Sequence, residues 1–212
     1  MFPVIRPLGK IDYLECWEKM KSFTENRGID TPDELWLVEH TPVFTLGLAG
    51  KEEHILNKSH SIPIIRTDRG GQVTYHGPGQ IVIYLLFDLK RLNLSIRELV
   101  TTIENSVIDY LKNVHSIIAY GDRNAPGVYV NNKKIASLGL KIRKSCSYHG
   151  LSFNYAMDKT PFDYINPCGY SGLQVVNLSE LADNKILNNF DDESNKIANF
   201  IIRNIYSREK HE

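Results

Sequence analysis

The segment SIRELVTTIENSVIDYL, residues 95–111, determines how the rest of the chain must be arranged. Ser95 followed by Glu98 is a capping-box pattern, which predicts that a helix begins at this serine. The apolar residues of the segment recur at helical spacing on one face: Ile96, Leu99, Val100, Ile103, Val107, Tyr110 and Leu111. The segment is therefore predicted to be a long amphipathic helix that covers one side of a core.

Segments of strand character lie on both sides of this helix in the sequence. Those before it are apolar and bounded by proline or glycine, at residues 34–47, 61–68 and 79–89. Those after it occupy residues 116–120, 127–131, 134–142 and 148–155, with a tight turn at Asn131 and Asn132. Because the strands cluster around one central helix, the pattern favours an α+β fold with mixed or antiparallel sheets over a doubly wound nucleotide-binding fold.

Two further helices are predicted near the ends of the chain, at residues 11–24 and 194–206, where apolar residues recur at helical spacing. Cys16 lies within the first of these apolar stripes and is predicted to be a core residue. Residues 158–174 are predicted to form a loop. Since no linker or repeat interrupts the sequence, we expect a single domain over residues 1–212.

The composition excludes several classes of protein. With 42% hydrophobic and 24% charged residues over 212 positions, the chain can form one sizeable core. Its 25 Lys and Arg balance 25 Asp and Glu, so no overall field draws it to nucleic acid or to an anionic membrane. Three cysteines, no long apolar run and no signal-like opening lead us to expect a cytoplasmic protein with free thiols.

The most unusual segment is RGGQVTYHGPGQ, residues 69–80, which places four glycines, Arg69 and His76 between two apolar strands. Glycines allow backbone N–H groups to approach a ligand closely, and Pro78 stiffens the turn. The same composition also suits a wide hairpin without a ligand. No Gly-Lys-Ser or Gly-Lys-Thr closes the segment, so the sequence does not support a Walker-type phosphate loop.

Two side chains outside this segment could carry chemistry. Cys168 lies in INPCGY, residues 165–170, between a proline and a glycine and away from any periodic apolar face, so it is a candidate nucleophile or an inert isolated cysteine. Lys134 opens the predicted strand 134–142 and is either a site residue or an ordinary solvated lysine. Gly139 inside that strand indicates close backbone approach.

A metal site is not indicated. Cys146 and His149 have a C-x-x-H spacing, but no second pair accompanies them, and a structural zinc site needs four ligands. The other histidines are scattered along the chain: His40, His54, His60, His76, His115 and His211. Residues 123–157 contain basic residues and no acid, which is either a solvated face or a surface that receives an acidic protein partner.

Four motifs in sequence give the chain a specific resemblance. RGGQVTYHGPGQ, then APGVYVNNKKIASLGLKI at 125–142, SYHGLSFNY at 147–155 and INPCGY resemble the lipoyl(octanoyl) transferase family. The resemblance covers about residues 30–175 and leaves 176–212 as a C-terminal helical region. It implies a single catalytic domain of the biotin/lipoate ligase-like fold, with a larger mixed sheet, a smaller sheet and flanking helices.

The resemblance also implies an activity. Members of the family move an octanoyl group from the phosphopantetheine thiol of acyl carrier protein to a specific lysine of a lipoyl domain. The implied acceptors are the acyltransferase subunits of 2-oxoacid dehydrogenases and the glycine-cleavage carrier protein. Neither ATP nor a metal is implied as a cofactor, and neither nucleic acid nor a membrane as a partner.

The implied site residues are those at which this sequence matches the family's motifs. Cys168 matches the nucleophile that forms an acyl thioester, and Lys134 matches the lysine that tunes it. The residues matched to substrate binding are Arg69, Gly70, Gly71, Gln72, Val73, Thr74, Tyr75, His76, Ser137, Leu138, Gly139, Gly150, Leu151 and Ser152. Ser152 stands where many relatives carry alanine, which puts in doubt only the lining of the acyl tunnel.

The chemistry of a cysteine beside a lysine leads to further expectations. A thiol with a pKa of about 8.5 is only slightly ionised at neutral pH, so the nucleophile needs a neighbouring base or cation. We expect burial to lower the pKa of Lys134 so that it can take the thiol proton. His76 and His149 are expected to position the loop. Candidate donors to the oxyanion are the backbone N–H groups of Gly70, Gly71, Gly77 and Gly139.

Two other functions are compatible with the same residues. An ATP-dependent lipoate ligase of the same fold would activate a free acid as an adenylate and would not need Cys168. A catalytically silent module would bind acyl carrier protein through the basic stretch and would keep its function without the thiol.

Overall fold

The computed structural model describes residues 3–57, 61–183 and 188–207. These ranges contain ten strands and three α-helices, which are β1 (Val4–Ile11), α1 (Tyr13–Asn26), β2 (Glu34–His40), β3 (Val43–Leu46), β4 (Ile64–Arg66), β5 (Val73–His76), β6 (Gln80–Leu86), α2 (Ile96–His115), β7 (Tyr120–Gly121), β8 (Gly127–Val130), β9 (Lys133–Arg143), β10 (Cys146–Asn154) and α3 (Phe190–Tyr206). None of the helices described is long and apolar enough to cross a membrane.

The strands form two sheets. The larger has seven strands in the order β1-β2-β6-β10-β9-β8-β7, and the smaller has three in the order β4-β3-β5. Each sheet contains one parallel pair, β1 with β2 and β3 with β4, and the remaining pairs are antiparallel. A larger mixed sheet, a smaller sheet and flanking helices confirm the predicted α+β class.

The central strand β6 shows where the core lies, because alternate residues of a strand point to opposite faces of the sheet. Ile81 and Ile83 belong to the apolar cluster that includes residues of α2 and α3. Val82 and Tyr84 belong to the cluster that includes residues of α1. The larger sheet is therefore covered by helices on both faces, and Cys16 of α1 is fully buried as predicted.

Helix α2 begins as the sequence predicts. The Ser95 hydroxyl accepts a hydrogen bond from the Glu98 N–H at 3.2 Å, and the Glu98 carboxylate accepts one from the Ser95 N–H at 2.9 Å. The helix ends at His115 and is capped by Ser116, whose left-handed backbone (φ 57°) closes the last turn. The strand predicted at 116–120 is therefore wrong except at its last residue, where β7 begins.

Proline explains two other differences from the expected elements. The segment predicted as one strand at 34–47 divides before Pro42 into β2 and β3, which lie in different sheets. Strand β1 was not predicted, because Pro7 and Gly9 interrupt its sequence. It lies at the edge of the larger sheet, where a proline is tolerated, and its register shifts between these two residues.

Candidate active site

Cys168 lies in the middle of a tight turn, Pro167–Gly169, within the segment predicted to be a loop. Its backbone has φ 56° and ψ 16°, a left-handed conformation that residues other than glycine rarely adopt. The Gly169 N–H donates to the Asn166 carbonyl at 2.9 Å and holds the turn in place. The thiol is free and partly exposed. Strained backbone can occur at active sites as well as at turns, so the conformation is compatible with Cys168 as the nucleophile.

Lys134 is brought to Cys168 by backbone pairing. Its N–H donates to the Gln174 carbonyl at 2.9 Å, and its carbonyl accepts from the Val176 N–H at 3.1 Å. The segment that follows the cysteine therefore lies alongside the start of β9. The Lys134 Nζ is 3.4 Å from the Cys168 Sγ, and the lysine is only 2% exposed. The structure thus joins the two residues of the catalytic prediction, and Lys134 is not a solvated lysine.

The surroundings of Lys134 hold its side chain in one direction. The Nζ donates to the Pro126 carbonyl at 3.1 Å and lies 5.0 Å from the centre of the Tyr129 ring. A Cβ at Gly127 would lie 2.8 Å from the Lys134 Cε, so this glycine leaves the space that the lysine occupies. The ammonium is therefore confined between a carbonyl, an aromatic ring and the sulfur.

The protonation expected of Lys134 is wrong. Burial alone would lower its pKa, but interactions with Cys168 and Tyr129 outweigh burial, and the pKa is raised above its ordinary value. Lys134 is therefore an ammonium at neutral pH. The ammonium lies 3.4 Å from the Cys168 sulfur, where it can stabilise negative charge that develops on the sulfur during nucleophilic attack.

A cavity of about 360 Å³ opens beside Cys168 and Lys134. This volume is at the lower end of the range of about 300–1,000 Å³ typical of ligand pockets. Thirteen of the predicted substrate-binding residues line it, namely Arg69, Gly70, Gly71, Gln72, Val73, Thr74, His76, Ser137, Leu138, Gly139, Gly150, Leu151 and Ser152. Ile96 and Val100 of α2 add apolar surface, so the cavity suits an aliphatic chain that ends at the sulfur.

Tyr75 is the predicted site residue that does not line the cavity. The segment RGGQVTYHGPGQ is not wholly a loop, because four of its residues form β5. Alternation along the strand directs Thr74 and His76 to the cavity and Tyr75 to the other side. There its ring packs 5.4 Å from that of Phe44 and 5.6 Å from that of Phe162, measured between centres. Tyr75 is therefore a core residue of the smaller sheet.

Arg69 holds the glycine-rich segment in shape. Its side chain is buried, and its guanidinium donates to the carbonyls of Thr45 at 2.6 Å, Gly70 at 2.8 Å and Gln72 at 2.7 Å. These acceptors are neutral, and burial lowers the pKa of Arg69. The arginine thus fixes the backbone that forms one wall of the cavity. Its guanidinium charge lies next to the cavity.

Two of the glycines meet at this wall. A Cβ at Gly139 would lie 2.9 Å from the Gly70 carbonyl oxygen, which confirms the predicted close backbone approach at Gly139. The Gly70 N–H donates to the Leu140 carbonyl at 3.0 Å, so it is not available to an oxyanion as predicted. Gly77 does not line the cavity. Of the four predicted donors, Gly71 and Gly139 remain beside it.

His149 belongs to a polar cluster at the cavity wall. Its Nε2 lies 2.9 Å from the Asp68 Oδ1, which also accepts from the Trp17 indole N–H at 2.9 Å. The other carboxylate oxygen, Oδ2, accepts from the Tyr148 hydroxyl. Burial lowers the pKa of His149 despite the carboxylate. The hydrogen bonds of His149 and Tyr148 outweigh the burial that would raise the pKa of Asp68, and hold it below its ordinary value. His149 is thus fixed by a carboxylate.

His76 is held in a similar way by a neutral partner. Its Nδ1 lies 2.7 Å from the Gln80 side-chain oxygen, and its ring stacks on that of Tyr13 at 5.9 Å between centres. Burial lowers the pKa of His76 to about 3. His76 is therefore neutral at physiological pH and is held within the wall.

The C-x-x-H pair noted in the sequence has other partners. The Cys146 thiol lies 3.4 Å from the Lys144 carbonyl, and His149 is bound to Asp68. Within residues 3–57, 61–183 and 188–207, no three His, Cys, Asp or Glu side chains are grouped so that they could hold a metal ion. His60 and His211 lie outside the described residues.

Comparison with known proteins places the chain in a family. The model of the lipoyl protein ligase A/B catalytic domain matches residues 12–196. The chain belongs to this family. The octanoyltransferase of Laribacter hongkongensis is 57% identical over 177 residues, which cover 84% of each chain.

Solved structures show the fold of this lipoyl protein ligase A/B domain. A bi-partite lipoate protein ligase from Thermoplasma acidophilum superposes with a TM-score of 0.75 at 15% identity, over 99% of this chain and 84% of that one. Biotin protein ligase from Aquifex aeolicus superposes with a TM-score of 0.60 at 13% identity, over 100% and 72%. The biotin/lipoate ligase-like fold implied by the resemblance is confirmed.

Several residues of this lipoyl protein ligase A/B site were not expected from the sequence. Tyr129 and the Pro126 carbonyl surround the Lys134 ammonium, and Asp68 holds His149. Glu104 also lies near Lys134, and in this case the sequence contained a pattern that could have identified it. Ile96, Val100 and Glu104 are spaced four apart, so the carboxylate extends the helical stripe that lines the cavity. A backbone carbonyl such as that of Pro126 leaves no such trace.

Proposed function

We infer that this protein transfers an octanoyl group from a carrier thioester to a lysine amine, through a thioester on Cys168. The activity is supported by the 57% identity to an octanoyltransferase over most of both chains. The observation that carries the mechanism is the 3.4 Å contact between the Lys134 Nζ and the Cys168 Sγ in the wall of an apolar cavity.

In the first half of the reaction, the Cys168 thiolate attacks the carbonyl carbon of the octanoyl thioester. The new carbon–sulfur bond gives a tetrahedral oxyanion, and Gly71 and Gly139 offer backbone beside it. Collapse of the intermediate breaks the bond to the carrier sulfur. That sulfur leaves with the proton of the Lys134 ammonium, so the enzyme holds an acyl thioester and a neutral lysine.

In the second half, the neutral amine of the acceptor lysine attacks the Cys168 thioester. The nitrogen loses a proton to the Lys134 amine, and the Cys168 sulfur leaves as a thiolate beside the restored ammonium. An amide replaces a thioester, which is energetically downhill, whereas the first exchange of one thioester for another is nearly isoenergetic. We therefore propose that neither ATP nor a metal takes part.

The cavity and the site determine the substrates that we propose. Leu138, Leu151, Ile96 and Val100 provide apolar walls for an eight-carbon chain, and the carbonyl end lies at Cys168. The proposed donor is octanoyl-loaded acyl carrier protein. The proposed acceptors are lipoyl domains of 2-oxoacid dehydrogenases and the glycine-cleavage carrier protein.

Whether transfer requires ATP tests this proposal. The purified protein is mixed with octanoyl-loaded acyl carrier protein and an apo-lipoyl domain without ATP, and the mass of the lipoyl domain is followed. We expect the domain to gain one octanoyl group at its lysine. In parallel, labelled free octanoate is supplied with ATP and should not be incorporated. Incorporation in this second mixture alone would identify an ATP-dependent ligase instead.

Replacing either cavity histidine should leave substantial turnover. His76→Gln and His149→Gln each preserve a hydrogen-bonding group in the wall, and the lysine already moves the protons. We expect transfer rates within about tenfold of the wild type, whereas loss of a general base costs about 10²–10⁴-fold. Steady-state transfer assays check this, with circular dichroism to confirm folding. Complete loss of turnover in a folded variant would make that histidine the base.

A further inference from the structure

Glu104 contacts the backbone of the segment that surrounds the Lys134 ammonium. It lies on α2, is partly buried, and its Oε1 accepts a hydrogen bond from the Gly127 N–H at 2.7 Å. Ile96 and Val100 precede it on the same stripe and line the cavity. Glu104 therefore holds a backbone N–H next to the residues that surround Lys134.

The contact partner of Glu104 and that of Lys134 are the same peptide group. The carbonyl of Pro126 and the N–H of Gly127 are joined by one planar bond. Glu104 accepts from the N–H at 2.7 Å, and the Lys134 Nζ donates to the carbonyl at 3.1 Å. With the 3.4 Å contact to the Cys168 Sγ, an unbroken series runs from carboxylate to peptide to ammonium to sulfur.

We propose that Glu104 is a positioning residue, which orients Lys134 toward Cys168 by fixing the plane of the Pro126–Gly127 peptide. The proposal deepens the proposed function, because it rests on the roles given there to the lysine and the cysteine. Gly127 is the first residue of β8, so the peptide before it lies at the end of the strand, and with φ 147° and no side chain Gly127 restricts its orientation little. Glu104 supplies that contact from a rigid helix.

The surrounding charges are compatible with this role. Lys134 and Asp122 act on the Glu104 carboxylate, and Cys168 and Tyr129 act on Lys134. Burial raises the pKa of Glu104, and the Gly127 N–H and Lys134 oppose this change. Either protonation state of the carboxyl group offers an oxygen to the Gly127 N–H. The orientation of the peptide therefore depends on an acceptor oxygen at this position rather than on its charge.

Two variants and one control separate the effect of the hydrogen bond to Gly127 from the effect of the Glu104 charge. Glu104→Ala removes the acceptor, whereas Glu104→Gln keeps an oxygen that can accept the same N–H. Asp109→Asn makes the same change of charge on α2 five residues further on, where the carboxylate accepts from the Asn204 side chain at 3.0 Å. Circular dichroism and thermal melting establish that all three proteins are folded.

The first readout is the rate at which iodoacetamide alkylates Cys168 at neutral pH, followed by peptide mass. It needs no substrate, so it tests the proposal even if the protein does not transfer octanoyl groups. We expect Glu104→Ala to slow alkylation about tenfold, because the ammonium no longer faces the sulfur. Glu104→Gln should remain within about threefold of the wild type, and Asp109→Asn should match it.

The second readout is octanoyl transfer, in which Glu104→Ala should lower kcat about tenfold and leave KM within about twofold. Alkylation of Glu104→Ala at the wild-type rate would overturn the proposal. Equal impairment of Glu104→Ala and Glu104→Gln would also overturn it, since the effect would then come from charge. Failure of wild-type transfer with the expected alkylation pattern would instead count against the proposed function.

Discussion

Cys168→Ala is expected to abolish the covalent octanoyl intermediate and to lower transfer by at least about a thousandfold, the scale seen when an enzyme loses its nucleophile. Without the sulfur, the acceptor amine must attack the carrier thioester directly while two proteins are held together. Intact mass spectrometry after mixing with octanoyl-loaded carrier should show one hydroxylamine-labile octanoyl group on the wild type and none on the variant.

Cys146→Ala is the matched control for this experiment. Cys146 is buried at the start of β10, and its thiol lies 3.4 Å from the Lys144 carbonyl. This variant should carry the adduct as the wild type does. Wild-type turnover by Cys168→Ala would mean that the thiol is not the acyl carrier and that the acceptor amine attacks the carrier thioester directly.

Replacement of Lys134 by methionine should slow transfer about 10²–10⁴-fold, as expected for loss of the group that moves protons in both half-reactions. Methionine fills nearly the same space, so the cavity wall should persist. Alkylation of Cys168 at neutral pH should slow as well, because no cation then faces the sulfur. Both rates are measurable on the same preparations.

The raised pKa of Lys134 gives the sign of the pH dependence. Its ammonium persists throughout the neutral range, so wild type should be alkylated faster than Lys134→Met from about pH 6 to about pH 7.5. The difference should narrow towards alkaline pH, where a thiol of ordinary pKa, about 8.5, ionises without help from a cation. The Lys134 ammonium also contributes to the free energy of unfolding. This contribution is fully present below the ordinary lysine pKa of about 10.4 and is lost as the pH rises through the raised pKa of Lys134 in the folded protein.

Lys133→Met is the control for this pair of experiments. Lys133 is the preceding residue of β9 and is exposed, so the substitution removes an equal charge from the same strand. Transfer and alkylation should stay close to the wild type. If Lys134→Met also kept the wild-type rates, the lysine would have a structural role only, and another group would have to supply the protons.

The elements that the sequence predicted well are those determined by neighbouring residues. Helix α2 begins at Ser95 because a capping box and an apolar stripe both lie within a few residues. Strand β1 was missed because it pairs with β2, which follows it in the sequence only after the whole of α1. Pro7 and Gly9 also interrupt the alternation of residues that would indicate a strand. Where the decisive contact is distant in sequence, the local pattern is insufficient.

The candidate site shows the same division. Gly139 was predicted to mark close backbone approach, and the Gly70 carbonyl lies where its side chain would be. Cys168 and Lys134 were singled out by motif, but the pairing of Gln174 and Val176 with Lys134 that unites them leaves no local pattern. The protonation of Lys134 was wrong for a related reason, since it depends on neighbours that only the folded chain supplies.

The two backbone hydrogen bonds at Lys134 have one more consequence. The amides of Lys134 and Val176 carry them, so they exchange with solvent only when the segment after the cysteine detaches from β9. The same detachment parts the sulfur from the ammonium. The hydrogen-exchange protection of these two amides therefore measures the fraction of molecules competent for acyl transfer. Detachment of this segment would inactivate the enzyme while its hydrophobic core stayed intact.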